Sequence, residues 1–437
     1  MPTLRYSAPL ATGPLDAVVS LPGSKSLTNR ELVLSALAEG SSVLHAPLHS
    51  RDTALMIAAL RSLGTVIDEI PGDGGYGPDL RITPGSFAGD VSIDCGLAGT
   101  VMRFLPPLAA LARGAVTFDG DEHARHRPMD VTIQSLRALG VGIDDAGTGR
   151  LPFIVEGVGG VRGGELAIDA SSSSQFVSGL LLVGARFDEG LRLTHTGARL
   201  PSLPHIDMTA MCLDQRGVTV HRPDERTWRV AASPIRGRTL TIEPDLSNAS
   251  AFLVAALVAG GTVRIPRWPD QTTQVGAHLQ SLLGEFGARF SYDEHGLTID
   301  GGAGLLGGAE LLGVTLDLSH GGELAPSLVA LAALASGPST ITGIGHLRGH
   351  ETDRLAALAT EINALGGAVT ELDDGLHIEP RVLSATTRPW QSYADHRMAM
   401  AGAIIGLAVP GIEINDIGTT AKTLPQFPEL WSTLVQG

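Results

Sequence analysis

Lysine is almost missing from this chain. Of its 31 lysine and arginine residues only two, Lys25 and Lys422, are lysines. A sequence so biased toward arginine has replaced lysine wherever a generic positive charge would serve, so the two that remain call for a specific reason. Cysteine is equally scarce: Cys95 and Cys212 are the only ones, with no CxxC and no Cys/His cluster at zinc spacing. That excludes a disulfide framework and a structural zinc site, and it fits a reducing compartment. Long hydrophobic runs are lacking too. The longest, "MAMAGAIIGLAVPGI", contains Pro410 and is too short to span a bilayer. No basic, apolar, small-residue signal opens the chain. The expectation is a cytoplasmic protein with no membrane partner. A net charge of −15 argues against a nucleic-acid-binding surface, though not against a local anion site. No GxGxxG follows a strand, and neither HExxH nor a GxSxG elbow occurs. "GSKS" resembles a phosphate loop but lacks the upstream glycine of the Walker pattern.

What is present is a soluble, globular composition, 43% hydrophobic and 18% charged, over 437 residues, room for two or three domains. It is also repetitive. "IAALRSLGTVIDEI", "IQSLRALGVGIDDA", "MCLDQRGVTVHRP", "LQSLLGEFGARFSYD" and "ATEINALGGAVTELD" each read as an amphipathic helix, a capping glycine and a strand. The glycines are Gly64, Gly140, Gly217, Gly287 and Gly366. A truncated sixth helix, "FPELWSTLVQ", ends the series. A second element alternates with the first six times, from "SKSLTNRELVLSALAEGSSV" to "ADHRMAMAGAIIGLAVPGIEI". Each has a polar start and then an Ala/Leu-rich run that is apolar on nearly all faces, as a helix in a protein interior requires.

Sixfold repetition suggests two lobes of three units. The sixth unit lacks closing strands, and "LRYSAPLATGPLDAVVSL" near the N-terminus reads as that missing material. The expected lobes are residues 1–23 with 243–437, and residues 24–242, with the active site in the cleft between them. The polar starts of the interior helices would face that cleft, where helix dipoles favour anions. Ser, Thr and Asn there could be simple N-caps, but caps do not explain Lys25, Arg30, Arg103 and Arg397. A cation near a helix N-terminus opposes the dipole, so several at equivalent positions point to an anionic ligand.

The distinctive segments are "PGSKSLTNR", "GLAGTVMRF", "HRPM", "SSSSQF", "LPSLPHID", "GHETDRL", "YADHRMAM" and "TAKTLP". Together, and in this order, they resemble the enolpyruvyl transferases over essentially the whole chain, and within them the branch that acts on shikimate 3-phosphate. The resemblance implies an α/β fold, a two-lobed inverse α/β barrel of six βαβαββ repeats, in keeping with the repeat read above. It implies transfer of the enolpyruvyl group of phosphoenolpyruvate to the 5-hydroxyl of shikimate 3-phosphate, through a tetrahedral intermediate, with no metal and no organic cofactor.

On this resemblance the phosphoenolpyruvate side comprises Lys25, Gly99, Arg127, Gln175, Arg354, Arg397 and Lys422, whose arginine forks suit carboxylate and phosphate. The shikimate 3-phosphate side comprises Lys25, Ser26, Arg30, Ser173, Ser174, Gln175, Ser202, Glu323 and His350. The catalytic residues are Lys25, Glu323 and Glu351: Glu323 would accept the 5-hydroxyl proton, and Glu351 would serve at C3 of phosphoenolpyruvate. Lysine can release a proton where arginine stays charged. The plain alternative for Glu351 is an intrahelical pair with Arg354 at i,i+3. Asp395 and His396 are expected to buttress Arg397, and Lys422 to open the last helix.

Several residues depart from the family pattern: Leu97, Phe104, His205, His346 and His350 stand where relatives often carry Asn, Pro, Tyr, Asn and Lys. Gly99 is kept, which implies ordinary sensitivity to glyphosate. The nearest rival is the enolpyruvyl transferase of UDP-N-acetylglucosamine, which carries a Lys-Asn pair near its start and a reactive loop cysteine; here Ser26 follows Lys25. A non-catalytic binding protein of the same fold is less consistent with Lys25, Glu351 and Lys422 together, since binding alone could use arginine. The resemblance favours a monomer that closes on its two small-molecule substrates.

Overall fold

The computed structural model describes residues 5–73 and 75–436. The chain forms two compact units, one running from Pro22 to Glu243, the other joining the N-terminal residues up to Leu21 with Pro244 onward. These junctions lie two residues before and one residue after the expected ones at 23/24 and 242/243.

Six helices are buried along almost their whole length: α1 (Lys25–Leu37), α3 (Gly99–Ala109), α6 (Gln175–Gly184), α8 (Leu246–Ala259), α10 (Ala325–Ala332) and α12 (His396–Gly406). Five of them are apolar along most of their length and leave no face suited to water, whereas α1 also buries Asn29, Arg30 and Glu31. Six others bury one stripe: α2 (Arg51–Ser62), α5 (Asp130–Ala138), α7 (Leu203–Asp214), α9 (Leu279–Glu285), α11 (Arg354–Ala364) and α13 (Phe427–Gln436). In α13 the stripe is Phe427, Trp431, Leu434 and Val435, the spacing of one helical face. A single turn, α4 (Glu122–Arg125), lies between α3 and α5. The five capping glycines take positive φ, from 84° at Gly217 to 106° at Gly64, a conformation that costs glycine nothing and others a Cβ clash.

Strands complete each repeat. Among the described residues five sheets have four strands with one plan, seen in the order Val91–Asp94, Arg113–Asp119, Phe153–Val158, Gly142–Asp144. A lead strand pairs in parallel with the strand that follows the interior helix, and an antiparallel hairpin closes the sheet. The architecture is thus mixed α/β, with βαβαββ repeats whose interior helices are wrapped by small sheets. The sixth sheet has three strands, Arg5–Ser7, Glu413–Asn415 and Trp390–Gln391.

The N-terminal runs divide their work differently from the expectation. Only Arg5–Ser7 joins the sixth sheet, antiparallel to Glu413–Asn415. The second run, Leu15–Val18, pairs in parallel with Gly261–Ile265 and so leads the sheet of α8. In the other unit Thr239–Thr241 pairs in parallel with Ser42–His45 and leads the sheet of α1. A parallel partner needs a crossover rather than a hairpin, so the nearby Gly-Pro turn did not fold these two runs onto each other.

Two features hold α1 in place. Gly23 passes so close to its neighbours that a Cβ would lie 2.3 Å from Ala46 O and 2.9 Å from Ile242 Cγ2. Behind the helix, Arg216 and Glu31 form a fully buried pair, Arg216 Nη2 donating to Glu31 Oε2 at 2.6 Å and Nε at 3.0 Å. Arg216 also donates to Ser35 Oγ at 2.8 Å, Ser42 Oγ at 3.2 Å and Arg236 O at 2.9 Å. Removing one partner leaves the other charge buried alone, so Arg216→Ala is expected to cost about 3–5 kcal/mol in urea unfolding. A loss under about 1 kcal/mol would contradict this reading of the pair.

Candidate functional site

The unit from Pro22 to Glu243 carries one set of the expected residues at the starts of its buried helices. Ser24 caps α1, its hydroxyl accepting from Leu27 N at 3.4 Å, which puts Lys25 at the first helical position. Lys25 Nζ lies 3.9 Å from Asp52 Oδ2, in the first turn of α2. Arg30, one turn on, is 2% exposed. It donates to Ser26 O at 3.0 Å, Thr209 Oγ1 at 2.8 Å, Ser178 Oγ at 3.3 Å and His205 O at 2.9 Å. Its guanidinium also lies 5.2 Å from the centre of the Phe104 ring. The unusual Phe104 is therefore a cation–π partner, and His205 takes part through its backbone carbonyl.

Gly99 opens α3 and is the focus of this set. A Cβ there would lie 2.9 Å from Gln175 Oε1 and 3.1 Å from both Arg103 Nη1 and Arg127 Nη2. Three polar ends thus converge where glycine leaves only hydrogens. Gln175 Oε1 and Arg127 Nε are buried without a hydrogen-bond partner among the described residues. Arg127 Nη1 donates to Leu97 O at 3.1 Å, a backbone contact indifferent to the side chain at 97. Arg103 donates to Pro128 O at 3.2 Å and lies over Phe176 at 5.7 Å, so it supports the loop and also reaches the Gly99 surface. The α3–α6 packing behind them depends on Pro107, which withholds the amide that would cover Arg103 O. Gly179 approaches that carbonyl so closely that a Cβ would lie 2.3 Å from it. Ser173 Oγ accepts from Gln175 N at 3.2 Å, Ser174 precedes α6, and Ser202 precedes α7 with φ of +53°.

The second unit carries the remaining residues. Glu351 lies before α11, outside the helix, so its 2.9 Å contact with Arg354 Nη2 is not an intrahelical pair. Its other oxygen accepts from Lys422 Nζ. Arg354 is 2% exposed and donates through Nε to Asp395 Oδ2 at 2.7 Å and through Nη2 to Asp395 Oδ1 at 3.3 Å. Burial disfavours its charge, but Asp395, Glu351 and Glu323 more than restore it, so the guanidinium pKa is raised. Asp395 also caps α12 by accepting from Arg397 N at 2.8 Å. The expected support of Arg397 is therefore only part of its work: its side chain clasps Arg354.

Glu323 sits in the turn Gly322–Leu324 just before α10. Ser247 Oγ donates to its Oε1, and Arg397 Nη2 lies 3.9 Å from its Oε2. His350 Nδ1 is 3.4 Å from Arg354 Nη1 and 3.9 Å from Glu351 Oε2, and its ring meets that of His346 edge-on at 5.7 Å. Lys422 does not open the last helix. It ends the turn Ile417–Lys422, and α13 starts at Phe427. Among the described residues no group of His, Cys, Asp and Glu could hold a metal ion, and no helix is long and apolar enough to cross a membrane.

Sequence reasoning missed three partners: Asp52 beside Lys25, Ser247 beside Glu323, and the Asp395 clasp on Arg354. Asp52 had a visible signal, an acidic residue just after the Ser50 cap of an amphipathic helix. Ser247 had only its place at the polar start of a buried helix.

A family model for EPSP synthase (3-phosphoshikimate 1-carboxyvinyltransferase) matches residues 10–431. A 3-phosphoshikimate 1-carboxyvinyltransferase of Kocuria rhizophila is 56% identical over 436 residues, covering 98% of this chain and 96% of that protein. Among solved structures, EPSP synthase of Acinetobacter baumannii superposes with a TM-score of 0.77 at 24% identity, covering 98% of each chain. The enolpyruvyl transferase NikO of Streptomyces tendae gives 0.73 at 17% identity, covering 97% of this chain and 96% of that one. At these identities both speak for the fold alone.

Both cysteines are buried and unpaired, and burial pushes both thiols well above their ordinary pKa. A thiolate-specific reagent is expected to leave the native protein unmodified and to titrate both thiols after unfolding. One fast-reacting thiol in the native protein would contradict that placement.

Proposed function

This chain belongs to the EPSP synthase family, and from that premise we propose how its residues divide the work of the reaction. It transfers the enolpyruvyl group of phosphoenolpyruvate to the 5-hydroxyl of shikimate 3-phosphate with release of phosphate, a step of the shikimate pathway. Both substrates are polyanions, and the candidate residues are correspondingly cationic.

Phosphoenolpyruvate is held by Lys25, Gly99, Arg127, Gln175, Arg354, Arg397 and Lys422. Shikimate 3-phosphate is held by Lys25, Ser26, Arg30, Ser173, Ser174, Gln175, Ser202, Glu323 and His350, with Ser173, Ser174 and Ser202 on its phosphate. The observation that carries the chemistry is Glu351, whose carboxylate, its side chain 8% exposed, is held between the cations Lys422 and Arg354. In the addition step the 5-oxygen bonds to C2 while Glu323 takes the hydroxyl proton, and Glu351 passes to C3 a proton drawn from the Lys422 ammonium bonded to it. In the elimination step Glu351 takes a proton back from C3, the C2–C3 double bond reforms, and the C2–O bond to phosphate breaks. Lys25 offsets the charge that develops on the departing phosphate and protonates it, and the proton Glu323 took from the 5-hydroxyl is released to solvent as Lys25 is reprotonated, so the net proton passes from the hydroxyl to phosphate. Arg354, fixed by Asp395, holds its anion in one orientation through a planar fork. The buried thiols support a reducing, cytoplasmic setting, and we assign the protein as a monomer.

The test is phosphate release from phosphoenolpyruvate with shikimate 3-phosphate or UDP-N-acetylglucosamine as acceptor, with and without glyphosate. Release only with shikimate 3-phosphate, suppressed by glyphosate in competition with phosphoenolpyruvate, is expected because Gly99 leaves the pocket wall open. Release only with the sugar nucleotide would overturn the assignment. Indifference to high glyphosate would overturn the role given to Gly99.

A further inference from the structure

We propose that Ser247 is a positioning residue for Glu323, fixing the carboxylate that takes the 5-hydroxyl proton, an inference that rests on the role just given to Glu323. Glutamate has three side-chain torsions, and a base must present one oxygen in one place. The Ser247 hydroxyl supplies that constraint by donating to Oε1. The other oxygen faces Arg397 Nη2 at 3.9 Å, beyond hydrogen-bond distance. The guanidinium pairs with the carboxylate by charge at this distance, while the serine, which does hydrogen-bond, fixes which way the carboxylate is turned.

The backbone that carries Ser247 is secured on every side. Asp245 caps α8 by accepting from Asn248 N at 3.0 Å. Gln274, 3% exposed, accepts from Leu246 N at 3.1 Å and donates to Pro244 O at 3.0 Å, clamping the two residues that flank the cap. Ser250 Oγ donates to Ser247 O at 2.8 Å and lies 2.9 Å from Ser327 Oγ. Ser327 belongs to α10, the helix that begins right after the turn carrying Glu323. The serine and the carboxylate therefore sit on two segments already bonded to each other deeper in the core. Ser247 itself is 8% exposed, so water reaches the hydroxyl poorly and the carboxylate is its chief acceptor. A hydroxyl donor also favours the ionised carboxylate without cancelling its charge.

The experiment compares Ser247→Ala, Ser247→Thr, Glu323→Gln and the double variant Ser247→Ala/Glu323→Gln. For Ser247→Ala, kcat is expected to fall about 10-fold or more, with both KM values within about threefold. Losing a hydrogen bond to the ionised form raises the carboxylate pKa, so the acid limb of the kcat profile should move to higher pH. Ser247→Thr keeps the hydroxyl and should recover most of the turnover. The double variant should be no slower than Glu323→Gln alone, because Ser247 acts through that carboxylate. Wild-type kcat and an unmoved acid limb in Ser247→Ala would overturn the proposal while leaving Glu323 as the base. So would a loss that adds in full to that of Glu323→Gln. Near-normal turnover of Glu323→Gln would instead remove Glu323 as the base, and the proposal with it.

Discussion

Cations at the first turns of helices work against the helix dipole, and in this protein buried carboxylates make the arrangement tolerable. A positive charge at a helix N-terminus costs about 0.3–1 kcal/mol, and burial adds a desolvation cost that a charge can rarely bear alone. Lys25 has Asp52 beside it and Arg354 has Asp395; Lys422, at the end of its turn rather than the start of a helix, is held by Glu351. These pairings keep the cationic groups folded and oriented before any anion arrives. A fixed dipole and a preset fork cost little to reorganise when charge develops in the reaction, which is where electrostatic catalysis gains most.

The carboxylates are not interchangeable. Asp395 is wholly buried and committed twice, to the Arg354 guanidinium and to the α12 amide of Arg397, which suits it to structure rather than to proton transfer. Glu351 and Glu323 each have, besides an arginine, a lysine or a serine, a partner that the proposed proton transfers would rearrange. The apolar helices behind them provide the stiffness. Where they carry polar groups in the core, those groups bond across helices, as Ser250 does with Ser327 and Asn29 Nδ2 with Thr100 Oγ1 at 2.7 Å. A satisfied polar contact in a low-dielectric core fixes helix register, because slipping out of it would leave a donor unpaired.

Much of this fold could be read before any coordinates. Uniformly apolar runs such as "SNASAFLVAALVAGG" became fully buried helices, and the glycines after amphipathic helices became positive-φ caps, since both follow from local chemistry. Sheet membership did not, because a parallel lead strand is chosen by distant backbone. Leu15–Val18 finds its partner at Gly261–Ile265, and nothing in either stretch announces the other. The candidate site divides along the same line. Its motif residues could be named from resemblance, but their partners depend on tertiary approach: Arg354 meets Asp395 across 41 residues of chain, and Ser247 meets Glu323 across 76. The Glu351–Arg354 spacing even suggested an ordinary helical pair, which the late start of α11 rules out.

The proposed roles would give the scarcity of lysine a chemical reason. An arginine in place of Lys25 would keep the charge next to Asp52 but not a compact ammonium that can give up its proton. The most direct measurement is the turnover of Lys25→Arg against the wild-type enzyme, with unfolding in urea as a control for the fold. The account predicts unchanged stability within about 1 kcal/mol and a kcat lower by about 100-fold or more. Near-normal turnover would contradict it and leave the two spared lysines without a chemical reason.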